Sequence, residues 1–150
     1  MAELTRQDVI KILATGSHPV RLRGVDLSGL DLSYLDLSYV NLFYANLTGA
    51  NLTQAYLREA ALFSADLTEA NLTRASVQRG DLIGVNLTRA NLHYANLTGV
   101  LLNGATLYGA DLTGIDWDGA DFNGARIDET TIWPVGFNER EFNFWTQPNH

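Results

Sequence analysis

The chain has 150 residues, 46% of them hydrophobic, with a formal net charge of -7 and no cysteine. One domain with an ordinary hydrophobic core is expected, and disulfide frames and thiolate metal centres are excluded. The 10 Lys and Arg against 17 Asp and Glu leave no basic footprint for direct DNA or RNA binding.

The first predicted element is a helical cap within residues 1–19. Thr5 to Asp8 has the form of a helix-start box, and Val9, Ile10 and Leu13 share a helical face. Glu3, Asp8 and Lys11 interrupt the apolar residues here, so the segment lacks the continuous run of a signal peptide. No stretch reaches the roughly 18 apolar residues of a membrane span. A cytoplasmic chain without membrane association is the expectation.

A strict repeat follows. From Leu22 to Ile132 every fifth position is apolar, and 18 of these 23 positions are Leu. A second column lies two residues earlier, from Val20 to Ala125, with Ala at 13 of 22 positions. In an α-helix a step of five residues turns about 140° net, so no helical face forms. Within Ala45-Asn46-Leu47-Thr48-Gly49 the inward-outward-inward order of the first three residues fits a short strand. Five is odd, so the chain must bend once per pentad to return the next apolar pair inward. Thr48-Gly49, Ser28-Gly29, Thr98-Gly99 and Thr113-Gly114 are suited to that bend. Short strands joined by regular bends make a solenoid.

These pentads, seen in Ala45-Asn46-Leu47, Ala70-Asn71-Leu72, Ala90-Asn91-Leu92 and Ala110-Asp111-Leu112, resemble the A(D/N)LXX pattern of the pentapeptide-repeat family, and such regular arrays look similar to cyanobacterial ones. The resemblance implies an all-β fold: a right-handed quadrilateral parallel β-helix over residues 20–134, with four pentads per coil and five to six coils. At roughly 4.8 Å per coil the rod would be on the order of 25 Å long.

Asn or Asp precedes the central residue in 15 of the 20 pentads between Asp26 and Asp121. These side chains are expected to bond the turn backbone and to stack in ladders. Asn46, Asn51, Asn71, Asn86 and Asn96 each begin an N-x-T sequon, which the repeat itself generates. The glycines at 29, 49, 84 and 104 fall on the bend and build no phosphate loop.

Beyond the repeat, residues 135–150 form an aromatic tail. Trp133, Phe137, Phe142, Phe144 and Trp145 break the Ala-Leu rule, and are read as a lid on the last coil or as a dimerisation surface. Monomer and homodimer are both compatible with that reading.

Catalytic chemistry is sparse. His18, His93 and His150 are isolated from carboxylates and from each other at metal-ligand spacing, so neither a metal, a cofactor nor catalysis is expected. His93 reads as an ordinary surface histidine. The informative feature is a break in the pattern. With 20 residues per coil, one outward column reads Arg23, Phe43, Phe63, Ile83, Asn103, Asn123, and its neighbour reads Asn41, Ala61, Asp81, Leu101. Together with Tyr44 beside Phe43, this predicts an apolar patch several coils tall for a protein partner or a second copy. A non-enzymatic interaction module follows, its partner unidentified. The family resemblance adds an alternative: some relatives act as DNA mimics on a type II topoisomerase (gyrase). A duplex mimic should be acidic along its length, whereas residues 41–100 hold four acids and four bases, and residues 101–150 hold eight acids against two bases.

Overall fold

The computed structural model describes residues 4–146; residues 1–3 and 147–150, with Glu3 and His150, lie outside it. Helix α1 spans Arg6–Thr15 and opens on a capping box: Thr5 Oγ1 accepts from the Asp8 N–H at 3.2 Å, and Asp8 Oδ2 accepts from the Thr5 N–H at 2.8 Å. Its buried stripe is not the expected Val9, Ile10 and Leu13. Val9 is fully buried, while Ile12 and Leu13 pack beside it with Leu4. Ile10, half-buried and three residues before Leu13, lies at the edge of that stripe and lines with Leu13 a hollow beside Leu35 and Tyr39. Arg6 ties the helix to the first coil, donating to the carbonyls of Asp31 at 2.6 Å and Ser33 at 3.0 Å. No coil precedes these carbonyls, so the guanidinium covers an otherwise open edge.

From Arg21 to Arg126 every ladder pairing is parallel and joins residue i to residue i+20, as in Asn46↔Asp66 and Asp66↔Asn86. A coil is therefore four pentads. The fold is a right-handed quadrilateral β-helix. The pentad at Ala45 shows why each residue type is needed, because all five of its N–H groups find acceptors. Ala45 closes the turn onto Leu42 O at 3.0 Å, Asn46 reaches back to Val25 O at 3.0 Å, and Leu47 and Gly49 reach forward to Asp66 O at 2.7 Å and Thr68 O at 2.8 Å. The remaining donor, Thr48 N–H, has no carbonyl opposite and goes to Asn46 Oδ1 at 3.1 Å. The Asn or Asp is thus an internal acceptor for the bend. Ladder bonds between coils also occur, from Asn46 Nδ2 to Asp26 Oδ1 and from Asn51 Nδ2 to Asp31 Oδ1, at 3.2 and 3.3 Å.

The core lies along the axis. Every leucine of the central column from Leu22 to Leu112 is at most 3% exposed, and the Ala column fills the space beside it. Each bend carries one residue in the left-handed region. Gly49, with φ of 66°, meets that demand without strain, whereas Tyr34, Arg74 and Tyr94 adopt φ of 63°, 58° and 56° as L-residues.

The fivefold phase closes at Ile127, one repeat short of the limit set by spacing. Asp111 pairs with Ile132 instead of Thr131, so one extra residue has entered the chain. Thr131 turns inward and donates from Oγ1 to Leu107 O at 2.9 Å, while Asp128 Oδ1 accepts from the Thr130 N–H at 2.9 Å. Ile132 is consequently 50% exposed, and Trp133 packs against the core in its place.

The tail then returns over the last coil. After a 3-10 turn at Glu139–Glu141, strand β2 (Trp145–Thr146) pairs in parallel with β1 (Arg126–Ile127). Phe122, fully buried, receives the rings of Trp133, Phe137 and Phe142 edge-on at 5.4 to 5.6 Å.

Candidate interaction site

Four sides can be named by their first central leucines: side 1 by Leu22, side 2 by Leu27, side 3 by Leu32 and side 4 by Leu37. The apolar candidates all lie on side 1, because 20-residue register stacks Phe43, Phe63 and Ile83 in consecutive coils. Phe43 and Phe63 meet edge-on at 5.7 Å, Tyr44 meets Phe63 at 5.8 Å, and the Arg23 guanidinium lies 5.2 Å from the Tyr44 ring. Phe43, Phe63, Ile83 and Ala61 are half-buried, while Tyr44 and Leu101 remain 51% and 42% exposed. The column is not uniformly apolar: Asp81 stands in register between Ala61 and Leu101.

Two bends of the patch lack the usual side-chain acceptor, as do those after Tyr56, Ser76 and Thr106 on other sides. Asn41 and Asp81 hold the N–H groups of Phe43 and Ile83 at 3.0 and 3.1 Å. At Ala61 and Leu101 the side-chain acceptor is absent, and the N–H groups of Phe63 and Asn103 lose that partner. Side 1 has exchanged two bend hydrogen bonds for two apolar side chains.

The tail rings lie at the other end. Among the described residues, Trp133, Phe137, Phe142 and Phe144 make ring pairs only with Trp117, Phe122 and each other. Trp145 is outside this cluster, 44% exposed and 5.1 Å from the Arg126 guanidinium.

Summing charge along the chain conceals a polarity around the rod. In coils two to four, residues 41–100, sides 3 and 4 carry Arg58, Arg74 and Arg79 against Glu59 alone. Sides 1 and 2 carry Asp66, Glu69 and Asp81 against Arg89, which is itself bound to Glu69 through Nε at 2.9 Å. The corner between sides 3 and 4 also displays Tyr34 and Tyr94, with Tyr56 beside it at the start of side 4, each more than half exposed. Writing the sequence in rows of 20 brings these residues together; reading it linearly does not.

His93 is not isolated. Its Nε2 lies 2.6 Å from Asp111 Oδ2 on the next coil of side 3. Burial pushes the Asp111 carboxyl up, but hydrogen bonds from Thr113 and His93 outweigh it and hold the group below its ordinary value. The Ser28 and Ser33 hydroxyls and N–H groups lower Asp26 and Asp31 in the same way. Among the described residues no group of three or more His, Cys, Asp or Glu could hold a metal ion, and no helix is long and apolar enough to cross a membrane.

A parallel four-sided solenoid with a filled interior and information confined to its outward columns defines a repeat protein of the β-helix class. The chain belongs to the pentapeptide repeat family: the family described as pentapeptide repeats (8 copies) matches residues 21–58, 36–66, 65–104 and 101–132. Rfr23, a pentapeptide repeat protein of the cyanobacterium Cyanothece 51142, is similar at 31% identity and a TM-score of 0.77, over 83% of this chain and 99% of that one. A pentapeptide repeat protein of the Arabidopsis thaliana thylakoid lumen is similar at 29% identity and a TM-score of 0.53, over 76% of this chain and 72% of the other. No curated protein sequence matches the chain.

Proposed function

We propose that the chain is a non-enzymatic docking module of the cytoplasm whose side 1 presents Phe43, Tyr44, Ala61, Phe63, Ile83 and Leu101 to a protein partner. The observation that carries this reading is the exchange at Ala61 and Leu101, where side-chain acceptors that serve the fold give way to apolar groups that serve only the surface. Three aromatic rings already clustered beside them offer a rigid anchor of the kind that dominates protein interfaces.

In this reading residues 1–19 and 135–150 are caps, and the rod of residues 20–134 is the working part. The inward packing of the tail rings on Phe122 supports a lid over a dimer contact. The arginines at the waist of the rod favour docking over the DNA-mimic alternative, which asks for acidity along the length of the rod.

The test is affinity capture from the native host with wild type and Phe63→Glu, each checked by circular dichroism. A partner held by wild type and lost by the folded variant is expected. Equal capture by both proteins removes side 1 from the mechanism.

A further inference from the structure

We propose that the corner between sides 3 and 4 is a second docking site, which seats an acidic, extended segment of a partner protein with a carboxylate on Arg74. The reading is independent of the apolar column and rests on different residues.

The first observation is conformational. Side 3 places Tyr34, Gln54, Arg74 and Tyr94 at the left-handed position of four successive bends, with φ of 63°, 54°, 58° and 56°. On each of the other three sides glycine holds this position in at least one of the first four coils, as at Gly24, Gly49 and Gly99. An L-residue there is strained, and the core does not require it, because glycine makes the same bend elsewhere in the rod. The strain is retained in each of the first four coils along one line of the surface, and Gly114 ends the run in the fifth.

What that line displays is the second observation. Gln54, Tyr56, Arg74, Ser76, Tyr94 and Asn96 border a shallow groove of about 460 Å³. Arg74 sits in its middle coil, with its guanidinium 5.5 Å from the Tyr94 ring, and binds no carboxylate among the described residues. Tyr56 lies one coil to one side of it and Tyr94 one coil to the other. Arginine and tyrosine are the residue types that concentrate binding energy at interfaces, and the planar guanidinium matches a carboxylate with two parallel hydrogen bonds.

Charge complementarity selects the occupant. Arg74 is the charged side chain among the groove's lining residues; farther along side 4 Arg58 lies 3.7 Å from Glu59, and Asp36 and Asp116 stand in register one coil beyond either end of the groove. The groove crosses three coils, on the order of 10 Å at roughly 4.8 Å per coil, enough for about three residues of extended chain. Its central residue would place an Asp or Glu carboxylate on Arg74, with the flanking side chains against the two tyrosine rings.

Fluorescence anisotropy tests this with a short fluorescein-labelled peptide of alternating Glu and Thr, its Gln and Thr counterpart, and an oligothymidylate. The proteins are wild type, Arg74→Gln and Phe63→Glu; Gln54 occupies the same bend one coil earlier, so glutamine is accommodated there. Saturable binding of the Glu peptide, weakened by salt and by about tenfold in Arg74→Gln, is expected. Phe63→Glu should bind that peptide as wild type does, which separates this site from side 1. No saturable binding to wild type, equal binding by Arg74→Gln, equal binding of the Gln peptide or tighter binding of the oligothymidylate each overturns the proposal.

Discussion

A single side-chain oxygen decides how well each bend is made. Where Asn or Asp precedes the leucine, its Oδ1 takes the one N–H that the coils leave over, as Asn46 does for Thr48. Leu101 cannot do this for Asn103. Leu101→Asn should therefore stabilise the rod by about 1 kcal/mol, the net worth of a typical hydrogen bond, and raise the thermal midpoint. An unchanged or lower midpoint would show that the backbone at this bend is already satisfied by solvent. If side 1 is a docking surface, the same substitution should weaken partner capture, a trade of binding for stability. Residue-scale legibility was uneven for identifiable reasons. The leucine column was plain because the axis buries every fifth residue without a break from Leu22 to Leu112. His93 looked isolated because its partner Asp111 is 18 residues away, a distance that acquires meaning only once the coil length is known.

Elements at the two ends solve the problem of open edges differently. At the start, α1 lays Val9, Ile12 and Leu13 over the first coil and uses Arg6 to cover two edge carbonyls. At the finish, an extra residue shifts the register, Trp133 enters the core position, and the tail closes as a stack of rings on Phe122. Spacing alone could not locate this shift. Ile132 satisfies the fivefold rule as well as any leucine, and what displaces it is Thr131, whose hydroxyl finds Leu107 O from an inward position. Phe137 stacks on Trp133 at 4.1 Å and on Phe142 at 5.5 Å, and meets Phe122 edge-on. Phe137→Ala should cost about 3 kcal/mol, the low end of the range for Phe to Ala because the ring is only partly buried. The uncovered coil should then make the protein associate with rising concentration, visible in sedimentation velocity. A variant that keeps the association state of wild type and loses no stability would mean that the tail is not a lid.

Across the whole molecule, hydrogen-bonded carboxylates are spread from cap to lid. Asp8, Asp26, Asp31, Asp111, Asp121 and Asp128 all lie below the ordinary carboxylate value in the folded state. The unfolded chain returns them to about 3.9 and so takes up protons first as the pH falls. Their contribution is complete above that value and is lost on acidification through the lower folded values. Thermal midpoints measured by circular dichroism should change little through this group between pH 8 and pH 5 and fall below about pH 4. Asp26→Asn, which keeps the acceptor and removes the titration, should reduce the loss; a midpoint that rises on acidification would contradict the account. The same whole-molecule view explains what a linear reading hides. Four acids and four bases in residues 41–100 cancel on paper, yet the coil sorts them to opposite flanks.

Each coil in the middle of the rod receives hydrogen bonds from the one below and gives the same set to the one above. A block of 20 residues, such as 66–85, is therefore a removable module: cutting it out or duplicating it rejoins equivalent bonding groups. The rod's height is graduated in steps of roughly 4.8 Å, and evolution or an engineer can reset the spacing between its ends by whole steps while each cap keeps the neighbours it has.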